Sequence, residues 1–224
     1  MTFFSLISKI LPLYIIAVQG YIAGRLHEID TKSLSKIMFH FIMPVIFFDV
    51  ALNTKLEFKY ALLPILYFFF SFILSKIALF IGSKFFDDGR ERIIGYAAGS
   101  ANTSSLGLSV AMLVFDDEYV RIFMLSTIGF VLYVYTIGNY TISNNIDSGK
   151  KRLKLLLKLP PIYGFIIGLT ANLCDIRLFD GFNNLFFQMR ATYLVLGMMV
   201  FGLSLSKVKL EGGVKFISIF SISK

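Results

Sequence analysis

Gly99-Ser100-Ala101-Asn102-Thr103-Ser104-Ser105-Leu106-Gly107 is the stretch that decides how this chain folds. It lies inside an apolar run from about Ile93 to Phe115, long enough to cross a bilayer as a helix. Leu106 is its single large apolar side chain, and two glycines bracket an amide and four hydroxyls. Asn102 comes about ten residues into the run, which at ~1.5 Å per residue is close to mid-bilayer depth. Unsatisfied backbone in lipid costs several kcal/mol per group, so such a patch must face protein or a wet cavity. Small polar residues interrupting a span mark either close helix–helix packing or a transporter's binding site.

The rest of the chain reads as more spans of the same kind. It has 224 residues, 56% of them hydrophobic, and a mean hydropathy of +0.74, the composition of an all-α integral membrane protein. Apolar runs predict seven spans, at about Phe4–Gly24, Ile37–Leu52, Tyr60–Ser83, Ile93–Phe115, Ile122–Tyr140, Leu159–Cys174 and Phe182–Ser206. An eighth run, Phe216 to Ile222, has begun when the sequence stops at Lys224. The single cysteine, Cys174, forms no internal disulfide and has no metal-ligand cluster around it, so neither metal nor cofactor is expected.

The formal charge of +8 would suggest nucleic acid in a soluble protein, but here the basic residues sit between spans. Odd-numbered connections hold fourteen Lys and Arg and even-numbered ones hold four. Positive residues stay cytoplasmic, which places the amino terminus outside and the chain in the cell membrane as a multi-pass protein. Lys76 lies two turns from Lys84 and is expected to snorkel toward the headgroups.

Spans 1 and 6 share a proline-led opening, Leu11-Pro12-Leu13-Tyr14 against Leu159-Pro160-Pro161-Ile162-Tyr163, each with a later glycine, Gly20 or Gly168. Spans 2 and 7 both end in a short polar exit. The offset of about 150 residues encloses an odd number of spans, which inverts the second copy relative to the first. Residues 1–145 then form a first five-span repeat and 146–224 an incomplete second one. A second broken helix falls at about position 250, beyond Lys224, so the chain is expected to be a fragment of a ten-span protein or to be completed by a partner chain.

Several stretches resemble the auxin efflux carrier family, which includes plant PIN-type carriers and bacterial malonate transporters. Ile10-Leu11-Pro12 with Gly20-Tyr21-Ile22-Ala23-Gly24-Arg25-Leu26 is similar to that family's first helix and its GYxxGR exit. Met43-Pro44-Val45-Ile46-Phe47-Phe48 resembles its second helix, and Ala101-Asn102-Thr103-Ser104-Ser105-Leu106-Gly107-Leu108 its crossover in span 4. Leu159-Pro160-Pro161-Ile162 and Gly202-Leu203-Ser204-Leu205 resemble the opening of span 6 and the exit of span 7. Where the family has a proline after the crossover's Gly-Leu, this chain has Ser109. The resemblance implies a 5+5 inverted-repeat secondary transporter fold with broken crossover helices, carrying small organic acids by alternating access. It puts the substrate carboxylate on Asn102, with Thr103, Ser104, Ser105 and Gly107 beside it.

That chemistry is physically sound. A carboxylate leaving water needs donors, and an amide, hydroxyls and free backbone N–H groups at a half-helix amino terminus provide them without a full charge. Asp49 and Arg190 are the intramembrane charges of interest; they either pair structurally or attract an anion and a coupling proton from outside. Gln19 and Asn139 are further polar candidates for the same cavity, and His40 in span 2 is expected to make an ordinary polar contact. Expected partners are a small organic acid, the bilayer, a proton or sodium ion, and a homo-oligomer or the missing carboxy-terminal chain. An inactive truncated carrier is the competing expectation. An enzyme is disfavoured, since the spans carry no carboxylate pair, His-rich motif or nucleophile–base spacing.

Overall fold

The computed structural model describes residues 3–54, 57–100, 106–142, 158–179 and 181–208. The described residues are helical, with no strand among them. Five helices, at Ile7–Leu26, Thr31–Asn53, Lys59–Gly82, Asp117–Ile142 and Gly181–Ser206, are long and apolar enough to cross a membrane. They match spans 1, 2, 3, 5 and 7 of the sequence. The other two runs differ for physical reasons. The fourth is not one helix, and the sixth, α9 (Pro160–Leu173), has 14 residues, about 21 Å at 1.5 Å each.

The chain divides into two compact units. The first contains residues 1–55, 103–125 and 159–208. Within it α1 (Phe3–Leu26) packs along α10 (Gly181–Ser206), while α3 (Met43–Asn53) packs along α9. Both pairs approach so closely that only glycine fits at the contact. A Cβ on Gly20 would run into the backbone of Met199, and one on Gly168 into the backbone of Phe48. Without a hydrophobic force between helices in lipid, such backbone approach is what the pairs gain from small residues. Leu13, Ala17 and Met198 form the buried seam of the α1–α10 pair, and Leu106, Val110 and Leu113 of the α6 segment (Leu108–Val114 with its preceding turn) pack on it.

Span 2 is built from α2 (Thr31–Ile37), a π-helical turn at Met38–Ile42 and α3. Asp30 starts it: its Oδ1 accepts from the Lys32 amide at 2.9 Å and its Oδ2 from the Ser33 hydroxyl at 2.7 Å. Those bonds hold the Asp30 carboxyl below its ordinary range. Pro44 lies inside this continuous helix directly after the π turn, where the regular ladder is already interrupted and the N–H it lacks is tolerated. The π turn supplies the offset between the two helices, and His40 on it is exposed with Nδ1 at 3.0 Å from the Lys36 carbonyl, an ordinary local contact.

The second unit contains residues 56–102, 126–158 and 209–224. Its described core pairs α4 (Phe58–Gly82) with α5 (Arg90–Gly99) around Ala78, Ile94 and Ala98. Gly129, on the part of α7 (Asp117–Tyr133) that belongs to this unit, lies against the backbone of Pro64. A second π turn, Val134–Gly138, leads into the four-residue α8 (Asn139–Ile142). Exposed Phe69, Phe70, Ile73, Ile77 and Phe80 cover the outer face of α4, the composition of a lipid-facing surface. Lys76 is exposed on the same helix with its ammonium 5.6 Å from the Phe72 ring, one turn back from it.

Candidate functional site

The helix of span 4 stops where the polar stretch begins. α5 ends at Gly99, and Ser100 leaves helical torsions at φ −104°, ψ 51°. Asn102, Thr103, Ser104 and Ser105 lie outside the described residues. Leu106 and Gly107 are helical, the latter at φ −63°, ψ −46°, and lead into α6. α5 belongs to the second unit and α6 to the first, so the chain passes from one unit to the other inside this stretch. Gly99 needs to be glycine, because the Tyr133 ring and the Ser71 carbonyl fill the place of a Cβ.

Gln19 is exposed on α1 and Asn139 is exposed at the start of α8. Asp49 and Arg190 are the sequence candidates that meet. Asp49 is 2% exposed and Arg190 6%, with Asp49 Oδ2 3.5 Å from Arg190 Nε. Asp49 sits four residues before the end of α3, about 6 Å from the helix terminus, so the pair is buried in protein yet near one end of the span. The other carboxylate oxygen accepts from Asn53 Nδ2 at 2.8 Å. Arg190 also turns its Nη2 toward Asp117 Oδ2 at 3.3 Å, and Arg121 Nη1 stands 4.0 Å from that oxygen. An unpaired charge here would carry a desolvation penalty of several kcal/mol, which explains why the charges cluster.

Beyond Asn53 opens a cleft of about 440 Å³, lined on its polar side by Asn53, Thr54, Asn172, Asp175, Arg177 and Asn183. One lining side chain ties its two edges together. Asn172 Nδ2 lies 2.8 Å from the carbonyls of Ala51 and Leu52 and 3.0 Å from that of Thr54, satisfying oxygens that the end of α3 leaves without helical partners. Asp175 then takes a left-handed φ of 52°, tolerated by Asp, and turns the chain so that Ile176 to Leu178 rim the cleft.

Three of these residues were not singled out in the sequence. Asn53 is one helical turn after Asp49, a spacing that puts the two side chains on one face and was open to detection. Asn172 bonds residues about 120 positions away, and Asp117 reaches Arg190 across 73, distances no local pattern encodes. Among the described residues no cluster of His, Cys, Asp and Glu has the makings of a metal site. Comparison with protein-family models and with curated proteins finds no match to this chain.

Proposed function

We propose that this chain is a membrane carrier, or part of one, that moves small organic carboxylates by alternating access. The observation carrying the reading is the end of α5 at Gly99, with Ser100 out of helical torsions, in the middle of an apolar run that is helical again by Leu106. The residues between are Ala101, Asn102, Thr103, Ser104 and Ser105, whose amide and hydroxyl groups suit a carboxylate that has shed water. Without a formal charge among them, binding is modest and release easy, as a carrier requires.

A 5+5 inverted repeat of seven spans and more is part of the reading, and the helix pairing supports it. If span 1 corresponds to span 6 and span 2 to span 7, a two-fold operation exchanges the pair α1–α10 with the pair α3–α9. Gly20 against the backbone of Met199 then corresponds to Gly168 against the backbone of Phe48, with the two partners shifted by 148 and 151 residues. The resemblance to the auxin efflux carrier family leads to the same architecture, and the Lys/Arg distribution puts the amino terminus outside the cell membrane.

The test is uptake of radiolabelled succinate into vesicles carrying the reconstituted protein. Asn102→Ala abolishes uptake while leaving the protein inserted and folded. Uptake by Asn102→Ala equal to that of the unaltered protein would remove the proposed site.

A further inference from the structure

Arg190 stands between two carboxylates and is fully engaged by neither. Its Nε is 3.5 Å from Asp49 Oδ2 and its Nη2 3.3 Å from Asp117 Oδ2, both longer than the roughly 2.7–2.9 Å of a well-made charged hydrogen bond. Asp49 Oδ2 and Arg190 Nε are buried polar atoms with no hydrogen-bond partner. The two acids also differ in setting: Asp49 is 2% exposed, whereas the Asp117 side chain is 68% exposed and has Arg121 as a second counter-ion.

We propose that Asp49 is a proton-binding site, loaded by water from the polar cleft that opens one helical turn away at Asn53, and that Arg190 shifts between Asp49 and Asp117 as the proton arrives and leaves. As a coupling site it rests on the carrier reading above; as a proton site it stands on this geometry. The charges that act on Asp49 are Arg190 from α10 and Asp117 and Arg121 from α7. The other helix packed along α3, α9, contains no charged residue. With both acids ionised the four groups sum to zero and Arg190 is divided between its two partners. A proton from water in the cleft, bonded to Asp49 Oδ2, makes a neutral acid, and the guanidinium then closes fully on Asp117. Loss of the proton restores the divided state. Because α10 carries the guanidinium and α3 and α7 the acids, each protonation changes which helix α10 is tied to.

Infrared difference spectroscopy of the protein in lipid, stepped across about pH 3–9, reads the proton directly. The surface carboxyls titrate over the same range in every variant; above them the unaltered protein gives a further carboxylic-acid C=O component that titrates and shifts in heavy water. That component is lost in Asp49→Asn, kept at a shifted frequency in Asp49→Glu, and kept in Asp117→Asn. Absence of the further component from the unaltered protein, or its survival in Asp49→Asn, overturns the proposal. In vesicles, a one-unit inward proton gradient drives succinate accumulation of up to about tenfold for one coupled proton. If succinate exchange is missing while the further component titrates with Asp49, the carrier reading fails and the proton site stands. If exchange is present without that component, the reverse holds.

Discussion

Gly202 rests directly on Ala17: the backbone carbonyl oxygen of Ala17 occupies the place where a Cβ on residue 202 would stand. One methyl group there forces α1 and α10 apart, because a backbone atom has no rotamer to yield. Gly202→Ala is expected to cost about 1–3 kcal/mol, the range for overpacked interiors. Unfolding in mixed micelles measures it, with Ile15→Ala, on the exposed side of α1, as a near-neutral control.

The Asp49–Arg190 pair should reveal itself in a double-mutant cycle. Arg190→Gln leaves a buried carboxylate without its counter-ion and is expected to cost about 3–5 kcal/mol. Adding Asp49→Asn to it removes the stranded charge, so the double variant recovers most of that loss. Additive single effects would mean that the two side chains do not act as a pair.

Asn172 closes the end of α3, so Asn172→Ala strands the carbonyls of Ala51, Leu52 and Thr54. The expected loss is about 1–3 kcal/mol for oxygens deprived of their donor. Faster amide exchange at Thr54, whose N–H bonds the Val50 carbonyl at 3.1 Å, localises the effect to this helix end. Asn172→Asp, which keeps shape but removes the donor, behaves no better than Ala.

Legibility in the sequence tracks how local each cause is. The five long helices follow from unbroken apolar runs, and the interruption of span 4 from a cluster of glycine and hydroxyl residues that cannot face lipid. The short length of α9 was legible too, since the run from Leu159 to Cys174 that bounds it already falls short of the roughly 20 residues of a full span. The buried pair was half legible: Asp49 and Arg190 stand out by charge alone, but their mutual approach depends on how α3 and α10 pack. Asn172 was not legible, because its three acceptors lie far back in the chain.

Asp30 makes the amino-terminal end of span 2 sensitive to acid. Its carboxyl is held below the ordinary value of 3.8, first by the Ser33 hydroxyl and then by the Lys32 amide. A depressed acid contributes stability that is complete above the ordinary value and is lost as pH falls through the lowered one. The Lys32 amide should therefore lose its protection only below pH 3.8, and Asp30→Ala should abolish that pH dependence. Loss of protection at higher pH would show that the cap is not what holds this turn.

Cys174 offers a direct reading of orientation, because it is the single cysteine of the chain and is exposed just after α9. The connection it opens carries one basic residue, Arg177, whereas the connection before α9 carries five between Lys150 and Lys158. If, as proposed, the basic connections lie on the cytoplasmic side, Cys174 is expected outside and Lys150 to Lys158 inside. A membrane-impermeant maleimide should label Cys174 on intact cells without permeabilisation. In a Cys174→Ser background, Ser148→Cys should label only after the membrane is opened. The opposite pattern would turn the protein over, place the cleft and Asp49 toward the cytoplasm, and reverse the side from which the proton is loaded.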